Sequence, residues 1–423
     1  MKYLILVPDG AADNPLDCLD GKTPLEVADM PVINELAKKS MIGLVRTIPE
    51  GIAPGSDAAN LAVMGYDPSV YLTGRSPLEA VSIGIQMSDT DVAFRANLIT
   101  LQADGIGCDD GSGCADDGIG AECDYDNLII LDHSAGDIST EEAEQLIDAV
   151  NKAFANDTHM FYAGVSYRHC LIIHNGSTDY DLTPPHDQLG KSAGPYLPKG
   201  PGSEELTNMM KQSYKILKDH PVNIKRIASG KNPANSLWIW GQGKKPALPS
   251  FEEKYGITGA AISAVDLIKG IAICAGLDSV DVPGATGTLH TDFAGKAQAA
   301  IEVFRSGKDF VYLHIEAPDE CAHQGDLEGK IKSLERIDYE VLRPILDYLR
   351  KLGEDFSILE LPDHRTPIAL RTHTSEPVPF VLYRSNDERP ENPANKFTEE
   401  AGAQGSYFDS GHALADTFFG RLD

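Results

Sequence analysis

YLILVPD, residues 3–9, is the stretch that decides the fold. Its five apolar residues, rich in branched side chains, read as a strand buried on both faces, and the proline after them cannot donate to the next ladder position. The strand therefore stops, and Asp9 is left at its rim. The same ending recurs twice: Val311-Tyr312-Leu313-His314-Ile315 runs to Pro318-Asp319, and Phe356-Ser357-Ile358-Leu359 runs to Pro362-Asp363. In open α/β sheets ligands bind beyond the carboxyl ends of the strands, so three rim carboxylates converge although hundreds of residues separate them in sequence. This pattern predicts an α/β fold with a mostly parallel sheet flanked by helices. Pro-Asp alone is ordinary turn chemistry; three such carboxylates at one rim invite a metal ion.

Imidazole joins the later two carboxylates. Asp319 and His323 stand at i and i+4 and share a face if a helix begins there. His364 comes directly after Asp363, and His373 precedes Pro377-Val378-Pro379-Phe380-Val381-Leu382, which reads as another strand. Mixed Asp and His ligation suits manganese or zinc, and magnesium less clearly, because imidazole is a softer donor than carboxylate.

A nucleophile is offered by Ala53-Pro54-Gly55-Ser56-Asp57-Ala58-Ala59-Asn60-Leu61. Proline and glycine force a turn and the run after Ser56 is good helix, so Ser56 sits near a helix N-terminus, where N–H groups and the dipole favour an alkoxide or a phosphate. A plain serine N-cap explains the same spacing without chemistry.

The collinear segments PDG at 8–10, APGSDAANLAVMGYDP at 53–68, VPGATGTLHTDFAGK at 282–296, HIEAPDECAHQGD at 314–326, LPDHRTP at 361–367 and THTSEPVPF at 372–380 together resemble the archaeal-type, cofactor-independent (2,3-bisphosphoglycerate-independent) phosphoglycerate mutases of the alkaline phosphatase superfamily. The resemblance covers nearly the whole chain. It implies an alkaline-phosphatase-like core, a serine phosphorylated during turnover, two divalent ions (Mn, Zn or Mg), and interconversion of 3- and 2-phosphoglycerate. Carried over residue by residue, Asp9, Ser56, Asp363 and His364 match the ligands of one ion, and Asp319, His323 and His373 match those of the other. Two rivals keep this site and change the substrate: a homoserine kinase-like phosphotransferase, which LDHSAGDIS at 131–139 keeps in view, and a metal-dependent phosphomonoesterase or phosphonate hydrolase. A kinase needs room for a nucleotide, and no P-loop pattern occurs.

No piece of the ligand constellation falls between about residues 89 and 227, so 89–227 reads as an inserted α/β domain for substrate binding, with 1–88 and 228–423 forming the core. The insert carries its own periodic segments: a strand over 91–100, an amphipathic helix over Thr140–Phe154 opened by a Ser139/Thr140 cap, and a strand over 170–173. A substrate bearing carboxylate and phosphate calls for guanidinium partners. Arg95, Arg168 and His169 beside these strands, with Lys296 from the core, are the candidate substrate-binding residues.

Residues 104–126, DGIGCDDGSGCADDGIGAECDYD, depart from the family pattern in length, acidity and content of Gly and Cys. Their cysteine spacing matches no zinc ribbon and their aspartates no calcium loop. A solvated loop is the expectation, one that shapes the mouth of the cleft or meets another subunit of a homo-oligomer.

At 423 residues, two domains are expected, and 42% apolar residues supply both cores. A formal charge of -28 disfavours nucleic acid and anionic membranes as partners. The N-terminal apolar run is too short for a signal segment, and scattered cysteines suit a reducing compartment, so a cytoplasmic location is expected. The partner that the resemblance implies is a small phosphorylated carboxylic acid. Ile331–Leu352 has helical spacing with Pro344 predicting a kink or a broken first turn, and Trp238 and Trp240 alternate as strand residues that Gly241 and Gly243 should end.

Overall fold

The computed structural model describes residues 1–103 and 124–420. Thirteen strands occur among them: β1 (Lys2–Pro8), β2 (Met41–Val45), β3 (Val92–Gln102), β4 (Ile129–Asp132), β5 (His159–Tyr162), β6 (Arg168–Ile173), β7 (Ser236–Lys244), β8 (Gly259–Ile262), β9 (Asp278–Val280), β10 (Phe310–Ile315), β11 (Phe356–Glu360), β12 (Val378–Arg384) and β13 (Ser406–Phe408). The chain divides into two units, Met1–Leu72 with Pro246–Asp423, and Thr73–Lys245.

The first unit is built on an eight-stranded sheet in the order β13-β2-β12-β11-β1-β10-β8-β9. β1 pairs in parallel with both β10 and β11, so the three runs that end in Pro-Asp are the three central neighbours. Only β12 runs antiparallel to its partners β11 and β2. Leu4, Leu6, Val311, Leu313 and Ile358 turn one way into a core with Ile33, Leu36, Ala297, Phe304, Val341, Ile345 and Leu349, all buried on flanking helices. A strand covered on both faces has no polar positions to alternate, which is why these runs are continuously apolar. The long helical pattern before β11 is three pieces: Leu327–Arg336, a π-helical turn Ile337–Leu342, and Arg343–Leu352. Pro344 lies in the first turn of the last piece, where its missing N–H is absorbed by the wider π turn.

The second unit carries an antiparallel sheet in the order β4-β3-β6-β5, with β7 also on β3. The helix Thr140–Phe154, capped by Ser139 on the Glu142 N–H at 3.3 Å, buries Ala143, Leu146, Ile147 and Val150 against it. The unit is wider than 89–227 because β7 is a full partner of β3 and the helix Ser76–Ser82 is tied to the same sheet by Glu79–Arg95 and by the Ser76 hydroxyl on the Gly241 carbonyl. Gly241 does not end its strand; at φ 65 it sits where the β3–β7 register shifts, and pairing continues to Lys244. Trp238 is core, its indole N–H donated to the Thr183 carbonyl at 2.8 Å. Residues 104–123 of the acidic segment lie outside the described residues.

Among the described residues no helix is long and apolar enough to cross a membrane.

Candidate metal centre and nucleophile

Parallel register brings the strand ends level: Val7 lies opposite His314, Pro8 opposite Ile315, and Leu6 opposite Glu360. The Asp9 N–H then donates to the Ile315 carbonyl at 3.0 Å, fixing the first rim carboxylate. Gly10 comes next at φ 62; a Cβ there would fall 2.5 Å from Asp319 Oδ1 and 2.6 Å from the Thr366 hydroxyl, so no other residue fits. The second Pro-Asp differs from the expectation of a proline-stopped strand. β10 ends at Ile315, and Pro318 occupies the first turn of the helix Ala317–Gln324, a position that needs no N–H. That helix sets Asp319 and His323 one turn apart, with Oδ2 and Nε2 at 3.2 Å.

Three overlapping sets of ligand atoms result: Asp319, His323 and His373; Asp9, Asp319 and His364; and Asp9, His314 and Asp363. His323 and His373 face each other through their Nε2 atoms at 2.9 Å, and His373 Nε2 lies 3.5 Å from Asp319 Oδ1. His364 Nε2 stands 3.6 Å from Asp9 Oδ1 and 3.4 Å from Asp363 Oδ2. Ser56 is the first residue of the helix Ser56–Val63. The N-cap is Gly55, so the plain-cap reading of Ser56 does not hold; its hydroxyl instead lies 3.1 Å from His364 Nε2. All seven residues named from the sequence for the two ions therefore meet at one rim.

The electrostatics divide the carboxylates. Burial pushes Asp9 well above the usual carboxylate range, and the neighbouring Asp363 and Asp319 push it further. Burial also acts on Asp319, but hydrogen bonds from His323 and His373 overcome it and hold that carboxyl low. In return, Asp319 lifts His323 to about 9. Asp363, buried too, is held low by His364; its oxygens accept from the Gly10 and His364 N–H groups at 3.2 and 2.9 Å and from Asn60 Nδ2 at 2.8 Å.

The donor set fits divalent cations on an observation independent of any likeness. Asp9 Oδ1 is buried with no hydrogen-bond partner among the described residues, and His314 Nε2, also buried, has Asp9 Oδ2 at 3.0 Å but makes no well-aligned hydrogen bond. Such atoms are costly unless something charged meets them. Oxygen and imidazole nitrogen in these proportions suit zinc or manganese.

Of the four candidate substrate residues, three belong to the second unit and one to the first. In the second unit, Arg95 spends its guanidinium on Glu79, with Nε to Oε2 at 2.9 Å, and lies over the Trp240 ring. Arg168 is exposed, stacked on Tyr167. His169 is buried, accepts the Gly164 N–H at Nδ1, and is lowered to about 4 by burial. In the first unit Lys296 is fully buried and donates to the His314 carbonyl at 3.2 Å, bracing the end of β10; burial lowers it to about 8 against the attraction of Glu316.

Sequence reasoning missed His314, Asn60 and Thr366. His314 reads as one more position of an apolar strand, yet it lies 3.0 Å from Asp9 Oδ2 and burial lowers it to about 4, a neutral ring. Asn60 looks like a helix residue, but its Nδ2 serves both the Ser56 carbonyl and Asp363 while Oδ1 accepts the Tyr312 hydroxyl at 2.5 Å. The available signal was a polar residue inside an apolar run, which a buried site must satisfy.

Comparison with known proteins agrees with the geometry in kind. A family model described as 2,3-bisphosphoglycerate-independent phosphoglycerate mutase matches residues 37–223. A Geobacter sulfurreducens protein named as a probable 2,3-bisphosphoglycerate-independent phosphoglycerate mutase is 44% identical over 421 residues, covering 100% of both chains. A Methanosarcina acetivorans protein named 2,3-bisphosphoglycerate-independent phosphoglycerate mutase is 45% identical over 407 residues, 96% of each chain. Among solved structures, the cofactor-independent phosphoglycerate mutase of Thermoplasma acidophilum superposes with a TM-score of 0.65 at 26% identity, covering 99% of each chain. A Pyrococcus horikoshii protein reaches 0.78 at 27%, over 100% of this chain and 98% of the other.

Proposed function

Because the chain belongs to the 2,3-bisphosphoglycerate-independent phosphoglycerate mutase family, an isomerase class, we propose that it interconverts 3- and 2-phosphoglycerate by way of phospho-Ser56, with two divalent ions held at the rim. Asp9, Asp363 and His364 beside Ser56 would hold one, and Asp319, His323 and His373 the other. Bound there, the ions would lower the pKa of the serine hydroxyl and neutralise phosphoryl oxygens.

The chain's own residues supply the rest. Ser56 presents its hydroxyl at a helix N-terminus, where the dipole favours the incoming phosphate. Asn60 holds the Ser56 carbonyl and Asp363 together, so the nucleophile and a ligand move as one. Arg168, exposed and stacked on Tyr167 rather than tied to a carboxylate, is the candidate we favour for an anionic group of the substrate; Arg95, tied to Glu79, serves better as a support. The observation that carries the proposal is the 3.1 Å contact of Ser56 Oγ with His364 Nε2 amid the acidic and imidazole groups.

The test is product analysis. Metal-loaded protein given 3-phosphoglycerate should yield 2-phosphoglycerate with little free phosphate, and Ser56→Ala should lose at least about three orders of magnitude in rate while keeping its metal content. Free phosphate as the main product would make the protein a hydrolase, and turnover only with ATP and homoserine would make it a kinase. Full activity in the Ser56 variant would remove the phosphoserine.

A further inference from the structure

Thr366 is fully buried, two residues beyond His364, and its side chain touches one ligand from each set. Its hydroxyl donates to Asp319 Oδ1 at 2.5 Å and lies 3.2 Å from His364 Nδ1. A hydroxyl has one proton. The carboxylate oxygen can only accept, so the proton is committed to Asp319, and toward His364 the same oxygen must accept. His364 therefore carries its proton on Nδ1. The other nitrogen, Nε2, is left with a lone pair, and it is the one that faces Ser56, Asp9 and Asp363.

We propose that Thr366 is a positioning residue that sets the His364 tautomer and the Asp319 carboxylate together, coupling the two ion sites through one oxygen. This rests on the two-ion reading above.

The hydroxyl is itself held from three sides. The Thr366 N–H donates to the Ala12 carbonyl at 3.2 Å, and the Thr366 carbonyl accepts from Lys330 Nζ at 2.9 Å. Lys330, fully buried, also pairs with Asp13 at 2.7 Å, so the segments after β1 and β11 are pinned to the helix that comes after Asp319 and His323. Gly10 makes room for the hydroxyl, since a Cβ there would lie 2.6 Å from it. His323 is likewise held at Nδ1, which lies 2.9 Å from the Arg371 carbonyl and so carries a proton, while its Nε2 faces Asp319 and His373. A group that orients a ligating histidine typically matters tenfold to a hundredfold in metal affinity.

The experiment uses the full chain, stripped with chelator and titrated with Mn2+ by calorimetry, alongside 15N spectra of the metal-free protein. Thr366→Val keeps the shape and removes the oxygen; it should bind Mn2+ about tenfold to a hundredfold more weakly, while Thr366→Ser should stay close to the wild type. The wild-type spectrum should show His364 protonated on Nδ1. Protonation on Nε2 instead, or Thr366→Val binding as tightly as the wild type, overturns the inference. The spectrum needs no variant, so a Thr366→Val chain that fails to fold does not shelter the idea. A wild type that takes up no Mn2+ would end the two-ion reading, and the tautomer would still judge the hydroxyl.

Discussion

Binding of a cation between Asp319, His323 and His373 should expel a proton at neutral pH, and the structure sets how much that costs. A ligating imidazole must be neutral. Asp319, by its hydrogen bond, lifts His323 to about 9, so at pH 7 only about one ring in a hundred is ready to ligate. That gives an upper limit of about a hundredfold on the loss of apparent affinity at pH 7. About a third of the His323 side chain is exposed, at 35%, and solvent screening brings the expected loss nearer to tenfold. Affinity therefore rises with pH, by up to about tenfold per unit below the His323 value, and flattens above it. The assay is calorimetric titration of chelator-stripped protein with Mn2+ at pH 7, 8 and 9, in two buffers of different ionisation enthalpy, which counts the protons. Affinity that is flat across this range with no proton release would refute the reasoning.

Two further outcomes concern buried charge away from the nucleophile. Lys330→Met strands Asp13, itself fully buried, and should destabilise the chelator-stripped protein by about 3–5 kcal/mol in urea unfolding, with Asp13→Asn added to the same chain recovering much of the loss; an unchanged midpoint would contradict the pairing. Glu360 is buried in β11 with Oε2 unpartnered among the described residues, and burial together with Asp338 raises its pKa well above the usual range. A carboxyl whose folded pKa is raised gives stability that is complete at low pH and lost as pH climbs through the folded value. Glu360→Gln should therefore flatten the fall of stability as pH rises above the ordinary glutamate range, and an identical slope in the variant would count against a raised Glu360.

The features legible in the sequence are those that a strand end and its next few residues decide locally. β1, β10 and β11 were legible because a sheet centre tolerates nothing but apolar residues, and Pro8 and Pro362 stop ladders. Asp319 and His323 were legible because four residues make one helical turn. The edge of the second unit was not, since β7 joins β3 across more than a hundred residues and Gly241 reads locally as a stop. Neither was the role of Lys296 or Arg95: a cation near an anion site and a cation bracing the main chain or a glutamate look alike until the partner is known. His314 was hidden for the same reason, because one polar residue in an apolar run has no periodicity to announce it, and Thr366 because a hydroxyl in the polar turn Asp363-His364-Arg365-Thr366 looks ordinary.

Those hidden residues explain how the fold tolerates its own site. Three carboxylates, all nearly inaccessible to solvent, cannot carry three unopposed charges in one place. Each is given a different answer. Asp363 receives two main-chain N–H groups and Asn60. Asp319 receives the Thr366 hydroxyl and a raised imidazole. Asp9, with Oδ1 unpartnered among the described residues, has its pKa raised by burial and by the neighbouring Asp363 and Asp319, which favours its neutral form. The chain's own groups thus temper the charge of the site, with His323 favoured as the imidazolium and Asp9 shifted toward its neutral form, and a proton held on either is one that an arriving cation would displace. The proton count and the rise of affinity with pH are therefore two readings of one exchange and must agree: at each pH, the slope of log affinity must equal the number of protons released.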